Sequence, residues 1–115
     1  MTVKTPARVS ANSISINNLD LRRLWLVVNR LVEPPSGLLN AASIMQIIRD
    51  LGFLQIDTVR SVVRAQDHIL WSRNRNYRES TLWPLLQQRL LFEHFTHDAS
   101  LIPVETYPHW QRQFR

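Results

Sequence analysis

No cysteine occurs anywhere in the 115 residues, which excludes a disulfide framework and every thiolate metal site and suits a reducing cytoplasm. No apolar run approaches the roughly 18 to 20 residues of a membrane span, and the start, MTVKTPARVSANS, lacks the apolar stretch of a secretory signal. Internal repeats and low-complexity tracts are also missing. Lysine is almost absent, since thirteen of the fourteen cations are arginine; set against nine acids they leave a charge of +5. Arginine forks bidentately onto phosphates and guanine edges, so a polyanionic partner fits, although +5 also suffices simply to keep a small domain soluble.

What remains is an ordinary globular composition, 44% hydrophobic and 20% charged, and a length of one domain. Residues 1 to 12 are polar and aperiodic and read as a frayed start, with one module over 13 to 115. Ser13 to Ile16 alternates like a short strand. Asn17 can cap a helix over 18 to 32 with a core stripe of Leu21, Leu24, Trp25, Val28 and Leu31. Asn40 caps a second, over 41 to 51, which Gly52 ends. FLQID follows as a short strand or extended turn, and SVVRAQDHILW offers Val62, Val63, Gln66, Ile69 and Leu70 as a third helix. Ser80 would cap a short helix through Gln88; RLLFEHF reads as a strand, HDASLIP as a turn, and Tyr107 to Phe114 as a last helical piece. The expected fold is mainly α with short β, a winged-helix or helix-turn-helix-like module.

Gln55 and Asp57 flank one isoleucine inside an apolar run. In an extended segment residues i and i+2 share a face, so the amide and the carboxylate converge while Ile56 turns to the core. The pair either satisfies nearby backbone or works on a water or a developing positive charge. Arg60, Arg64, Arg73, Arg75 and Arg78 follow within a short stretch, with Asn74 and Asn76 among them. Such a cluster is either a DNA-backbone surface or a solvated face paired to Asp67 and Glu79. Arg60 and Arg64 would share a helical face. Glu93-His94 and His97-Asp98 invite a metal reading, but the segment reads extended and no cysteine assists, so no metal and no cofactor are expected. Trp25, Trp71, Trp83 and Trp110 read as packing residues, Trp71 being the one placed to stack on a base.

The run LGFLQIDTVRSVVRAQDHILWSR, followed by LLFEHFTHDASLIPVETYPHW, resembles the amino-terminal part of the bacterial winged-helix DNA glycosylases that unhook interstrand crosslinks and excise alkylated purines, the family typified by the crosslink-repair glycosylase YcaQ. Its paired motifs, a QxD or QxQ after a helix-ending LG and an LFE-aromatic-xxHxAS-LxP signature, stand here at Gln55-Ile56-Asp57 and at Leu91 to Pro103. The resemblance runs from about residue 13 to the end. It implies a monofunctional N-glycosylase that leaves an abasic site, with Asp57 steadying an oxocarbenium-like sugar and water, Gln55 placing that water, and double-stranded DNA as partner. The chain is expected to be cytoplasmic and nucleoid-associated, and a monomer. The family's members are several times longer and use tandem winged-helix modules, so the chain is expected to be a fragment of a multi-winged-helix architecture. The competing expectation is a winged-helix DNA-binding module without catalysis.

Overall fold

Three helix ends explain where the chain turns. In the computed structural model, which describes residues 12–57 and 62–114, Asn17 accepts from the Asp20 amide (2.8 Å) and opens α1, Asn18–Val28. The helix stops short of the expected residue 32. The Asn29 side-chain nitrogen donates to the Trp25 carbonyl (2.8 Å), Arg30 adopts φ 56°, and the amides of Arg30 and Leu31 donate back to the carbonyls of Val27 and Leu26 (both 2.9 Å). That is a Schellman ending with arginine at the left-handed position.

α2, Ala41–Leu51, has the expected bounds. Asn40 and Ser43 close a reciprocal capping box, and Gly52 at φ 88° ends the helix with bonds to Ile48 and Arg49. β1 is only Leu54–Gln55. α3, Ala65–Arg73, begins later than its apolar stripe suggests. Val62 is 87% exposed and Arg64 is the extended cap residue, in keeping with the poor helix propensity of consecutive β-branched residues. Arg64 is therefore not a helical residue sharing a face with Arg60, and Arg60 itself lies outside the described residues.

Ser80 caps nothing; it sits in a 3-10 turn, Glu79–Thr81, and α4 is Trp83–Gln87. Pro84 sets that start, because a residue without an N–H is cheapest in the first turn. α4 repeats the ending of α1, with Arg89 at φ 60° and the amides of Arg89 and Leu90 bonded back to Leu86 and Leu85.

β2, Leu91–Phe95, is the expected strand, whereas HDASLIP is mostly strand rather than turn: β3 is Ala99–Pro103. Ser100, Leu101 and Ile102 are fully buried because β3 is the central strand of an antiparallel sheet ordered β1-β3-β2, with Leu54 opposite Leu101 and Gln55 opposite Ser100. Pro103, at the end of its strand, interrupts little of the ladder. Ser13 to Ile16 forms no strand. α5, Tyr107–Trp110, and a 3-10 turn over Gln111–Phe114 give the expected last helical piece.

The core gathers Ile44, Met45, Ile47 and Ile48 of α2 with Leu54, Leu70, Tyr77, Leu82, Leu85, Leu91 and Leu101. Beneath it Tyr77 donates its hydroxyl to the buried Asp67 carboxylate (2.7 Å). The chain is thus mainly α with a small sheet, and the succession α2-β1-α3-α4-β2-β3 is winged-helix-like. α1 stands outside this arrangement. None of its residues is buried, and Trp25 is 60% exposed, so the expected core stripe is not a core within this chain. Arg73 donating to the Asn29 carbonyl (2.9 Å) and Arg30 paired with Asp50 (3.1 Å) tie its C-terminal end to the rest.

Candidate active site

The segment carrying the polar pair is pinned by its backbone before its side chains are considered. Leu54 and Gln55 pair with β3, and the Ile56 amide extends the contact to the Ala99 carbonyl (2.9 Å). There the ladder runs out. The Asp57 amide donates instead to the side-chain oxygen of Gln66, on the first turn of α3 (2.9 Å). Ile56 packs half-buried on the core.

Gln55 and Asp57 line one cleft of about 330 Å³, together with Arg64, Gln66, Trp83, Glu93 and Asp98. The second sequence motif therefore meets the first in space, because β3 is the neighbour of β1 and its leading turn brings Asp98 alongside. Gln55 Nε2 donates to Asp98 Oδ2 at 3.4 Å, a long bond, while Asp98 Oδ1 accepts the Ala99 amide (2.9 Å). An amide that spends its nitrogen on Asp98 has its carbonyl oxygen left for a donor such as water. Asp57 is exposed to the cleft.

Three carboxylates, Asp57, Glu93 and Asp98, face one guanidinium, Arg64, among the described lining residues. A site of that charge favours groups that are or become positive. Arg64 has its Nε buried without a hydrogen-bond partner.

Arg73, Arg75 and Arg78 are spread rather than gathered at the cleft. Arg73, at the far end of α3, donates to the carbonyls of Asn29 and Ile69 and to the Ser72 hydroxyl. Burial and then the nearby Arg30 lower its pKa from the ordinary arginine value. Arg75 and Arg78 are exposed in the loop beyond, Arg78 donating to the Tyr77 carbonyl (2.8 Å). Asn74 and Asn76 brace that loop, Asn76 donating to the Gly37 carbonyl (2.7 Å) and Asn74 accepting from the Asn76 amide (3.0 Å). His97 meets Phe53 edge-on and His94 meets Trp110 in the same way, each at 5.9 Å. Among the described residues no group of three or more His, Asp or Glu side chains is placed to hold a metal ion.

Sequence reasoning misses Gln66 and Trp83 as lining residues and weighs Glu93 and Asp98 only for a metal site. Gln66 shares its helical stripe with Ile69 and Leu70, and a polar residue at a core position is itself a signal. Trp83 is read from its surroundings as packing; it is 38% exposed at the cleft, and Trp25 and Trp71 are exposed as well. Nothing local distinguishes Trp83, because its position depends on how α4 meets the sheet.

The sequence pattern of the family described as DNA glycosylase AlkZ-like matches residues 48–115, more than half of the chain and every lining residue of the cleft. The chain belongs to the AlkZ-like DNA glycosylase family. The AlkZ-like match begins in the last turns of α2 and leaves α1 outside it. No curated protein and no solved structure matches the chain. AlkZ-like membership points to DNA as the partner class and to a role in DNA repair, and no helix among the described residues is long and apolar enough to cross a membrane.

Proposed function

We propose that this AlkZ-like chain carries the catalytic pair of a DNA glycosylase that hydrolyses the N-glycosidic bond of an alkylated or crosslinked purine in duplex DNA, leaving an abasic site. The observation that supports it is the meeting of Gln55 and Asp57 in an acidic cleft, with the Gln55 nitrogen engaged by Asp98. A purine alkylated on its ring nitrogen is cationic, so when the C1′–N bond breaks its electron pair neutralises the leaving base. Little acid catalysis is then required. The burden is to stabilise the oxocarbenium-like sugar and to deliver water to C1′. Asp57 serves both ends: its charge opposes that of the sugar, and its oxygens accept the proton that the attacking water sheds. Gln55, through its free carbonyl oxygen, holds that water.

An exposed carboxylate in an open cleft suits a lesion that stays in the stack, as a crosslinked base must, rather than one turned out by about 180° into a deep pocket. Trp83 at the cleft offers an aromatic face to a cationic base, a contact that strengthens with charge. The duplex backbone falls to the exposed Arg75 and Arg78 and to Arg64 at the cleft, with the same role proposed for Arg60 and Arg73.

The deciding experiment is release of 7-methylguanine from duplex DNA, followed as alkali-labile abasic sites. Asp57→Asn is expected to slow excision by about a hundredfold or more, and Gln55→Ala by less. Equal rates for Asp57→Asn and the unsubstituted chain would refute the assignment. A second reading, duplex binding without catalysis, is favoured by the exposed arginines of the 74 to 78 loop. It expects salt-dependent binding whose slope falls by about one for each phosphate-contacting arginine removed, with no base release.

A further inference from the structure

Asp57 is the first residue past the sheet whose amide has no strand to pair with, and Gln66 fills that place. The Gln66 side chain is 2% exposed, and its oxygen accepts the Asp57 amide at 2.9 Å. The acceptor comes from a buried residue, although the bond itself is part-buried at the edge of the cleft. Burying an amide on an otherwise apolar stripe costs stability unless its hydrogen bonds are made, and a leucine at this position would pack beside Ile69 and Leu70 without that cost. The polar choice at position 66 is explained by what it holds.

We infer that Gln66 is a positioning residue for Asp57: its side-chain carbonyl fixes the peptide that bears the carboxylate and so sets where that carboxylate stands relative to the Gln55 amide. This rests on the reading of Asp57 as the group that acts on sugar and water. The β1 ladder and the Gln66 bond constrain the pair from opposite directions. Gln55 is held to β3 through the sheet and Asp57 to α3 through Gln66. Freed of this restraint, Asp57 would keep its charge and its exposure, and its peptide would no longer be held to α3 through Gln66. A displacement near 1 Å in such a site costs on the order of a hundredfold in rate.

Gln66→Met keeps the volume and removes the acceptor, whereas Gln66→Glu keeps an acceptor oxygen. Each full-length variant is compared with the unsubstituted chain for single-turnover excision of 7-methylguanine, for duplex affinity, and for hydrogen exchange at the Asp57 amide by NMR. The expected result is a rate about ten- to a hundredfold lower in Gln66→Met with duplex affinity within about twofold, and most of the rate restored in Gln66→Glu. The Asp57 amide should exchange slowly in the unsubstituted chain and in Gln66→Glu, and fast in Gln66→Met. Undiminished excision by Gln66→Met, or a loss that Gln66→Glu does not restore, overturns the proposal. Fast exchange at the Asp57 amide of the unsubstituted chain overturns it too, independently of any activity. Failure of the underlying reading looks different: Asp57→Asn then excises as fast as the unsubstituted chain, whatever Gln66 does.

Discussion

At the scale of single residues, the polar pair inside an apolar run is reconciled with the core by where each bond goes. Ile56 packs on the core, Gln55 leans on Asp98 in the turn that leads into the central strand, and Asp57 hands its amide to Gln66. The Gln55 contact makes a prediction that pairwise reasoning about Gln55 and Asp57 alone would not. Asp98→Asn presents an NH2 group as readily as an oxygen, so it permits Gln55 to turn over and offer its nitrogen to the cleft. Excision is then expected to fall by about tenfold, less than for Asp57→Asn, because only the water's acceptor is disturbed. Single-turnover rates of the two variants on the same duplex check the ranking, and a larger loss for Asp98→Asn would move the catalytic assignment from Asp57 to Asp98. The two members of the pair were legible in the sequence because their spacing was unusual. Gln66 was marked only by its polarity on an apolar stripe and Trp83 by nothing local, because what makes them part of the cleft is the packing of α3 and α4 against the sheet.

At the scale of elements, boundaries were legible where a local chemical signal fixes them. Asn40, Ser43 and Gly52 mark α2 at both ends, and its bounds follow. β3 was hidden because Ala99 to Pro103 lies between turn-forming residues and a proline, and only its burial as the central strand shows what it is. The ends of α1 and α4 were also illegible, since each places an arginine where glycine is the common choice. That is a testable cost. Arg89 is exposed at φ 60°, and a left-handed conformation costs an L-residue about 1 kcal/mol or more relative to glycine. Arg89→Gly should therefore stabilise the chain by about 0.5 to 1 kcal/mol, a rise of about 4 °C in Tm for a domain of this size. Thermal melts followed by circular dichroism measure it, and an unchanged or lowered Tm would show that the Arg89 side chain contributes more than its backbone costs.

At the scale of the whole molecule, stability concentrates in the unit from α2 to β3, and α1 adds little to it. Leu70 is fully buried, so Leu70→Ala should cost about 2 to 5 kcal/mol, whereas Leu24→Ala on the exposed α1 should cost under about 0.5 kcal/mol. The Tyr77–Asp67 pair gives the same unit a distinctive response to alkali. Burial first, then the hydrogen bond to Asp67 and the charges of Asp67 and Glu79, push the Tyr77 hydroxyl far above its ordinary pKa. The unfolded chain releases that proton near the ordinary tyrosine value of about 10, while the folded chain keeps it. The stabilisation is therefore fully present below about pH 10 and is lost above it, by at most about 1.4 kcal/mol per pH unit for this one group. Tyr77→Phe should be less stable at neutral pH by about 1 to 3 kcal/mol, because it leaves the buried Asp67 carboxylate short of a donor. Its deficit should then shrink between pH 10 and 11, since phenylalanine has no proton to lose. Urea unfolding of both chains at pH 8, 10 and 11 decides the matter. A gap that stays constant across that range would mean that Tyr77 ionises alike in both states, and that the bond to Asp67 does not hold its proton.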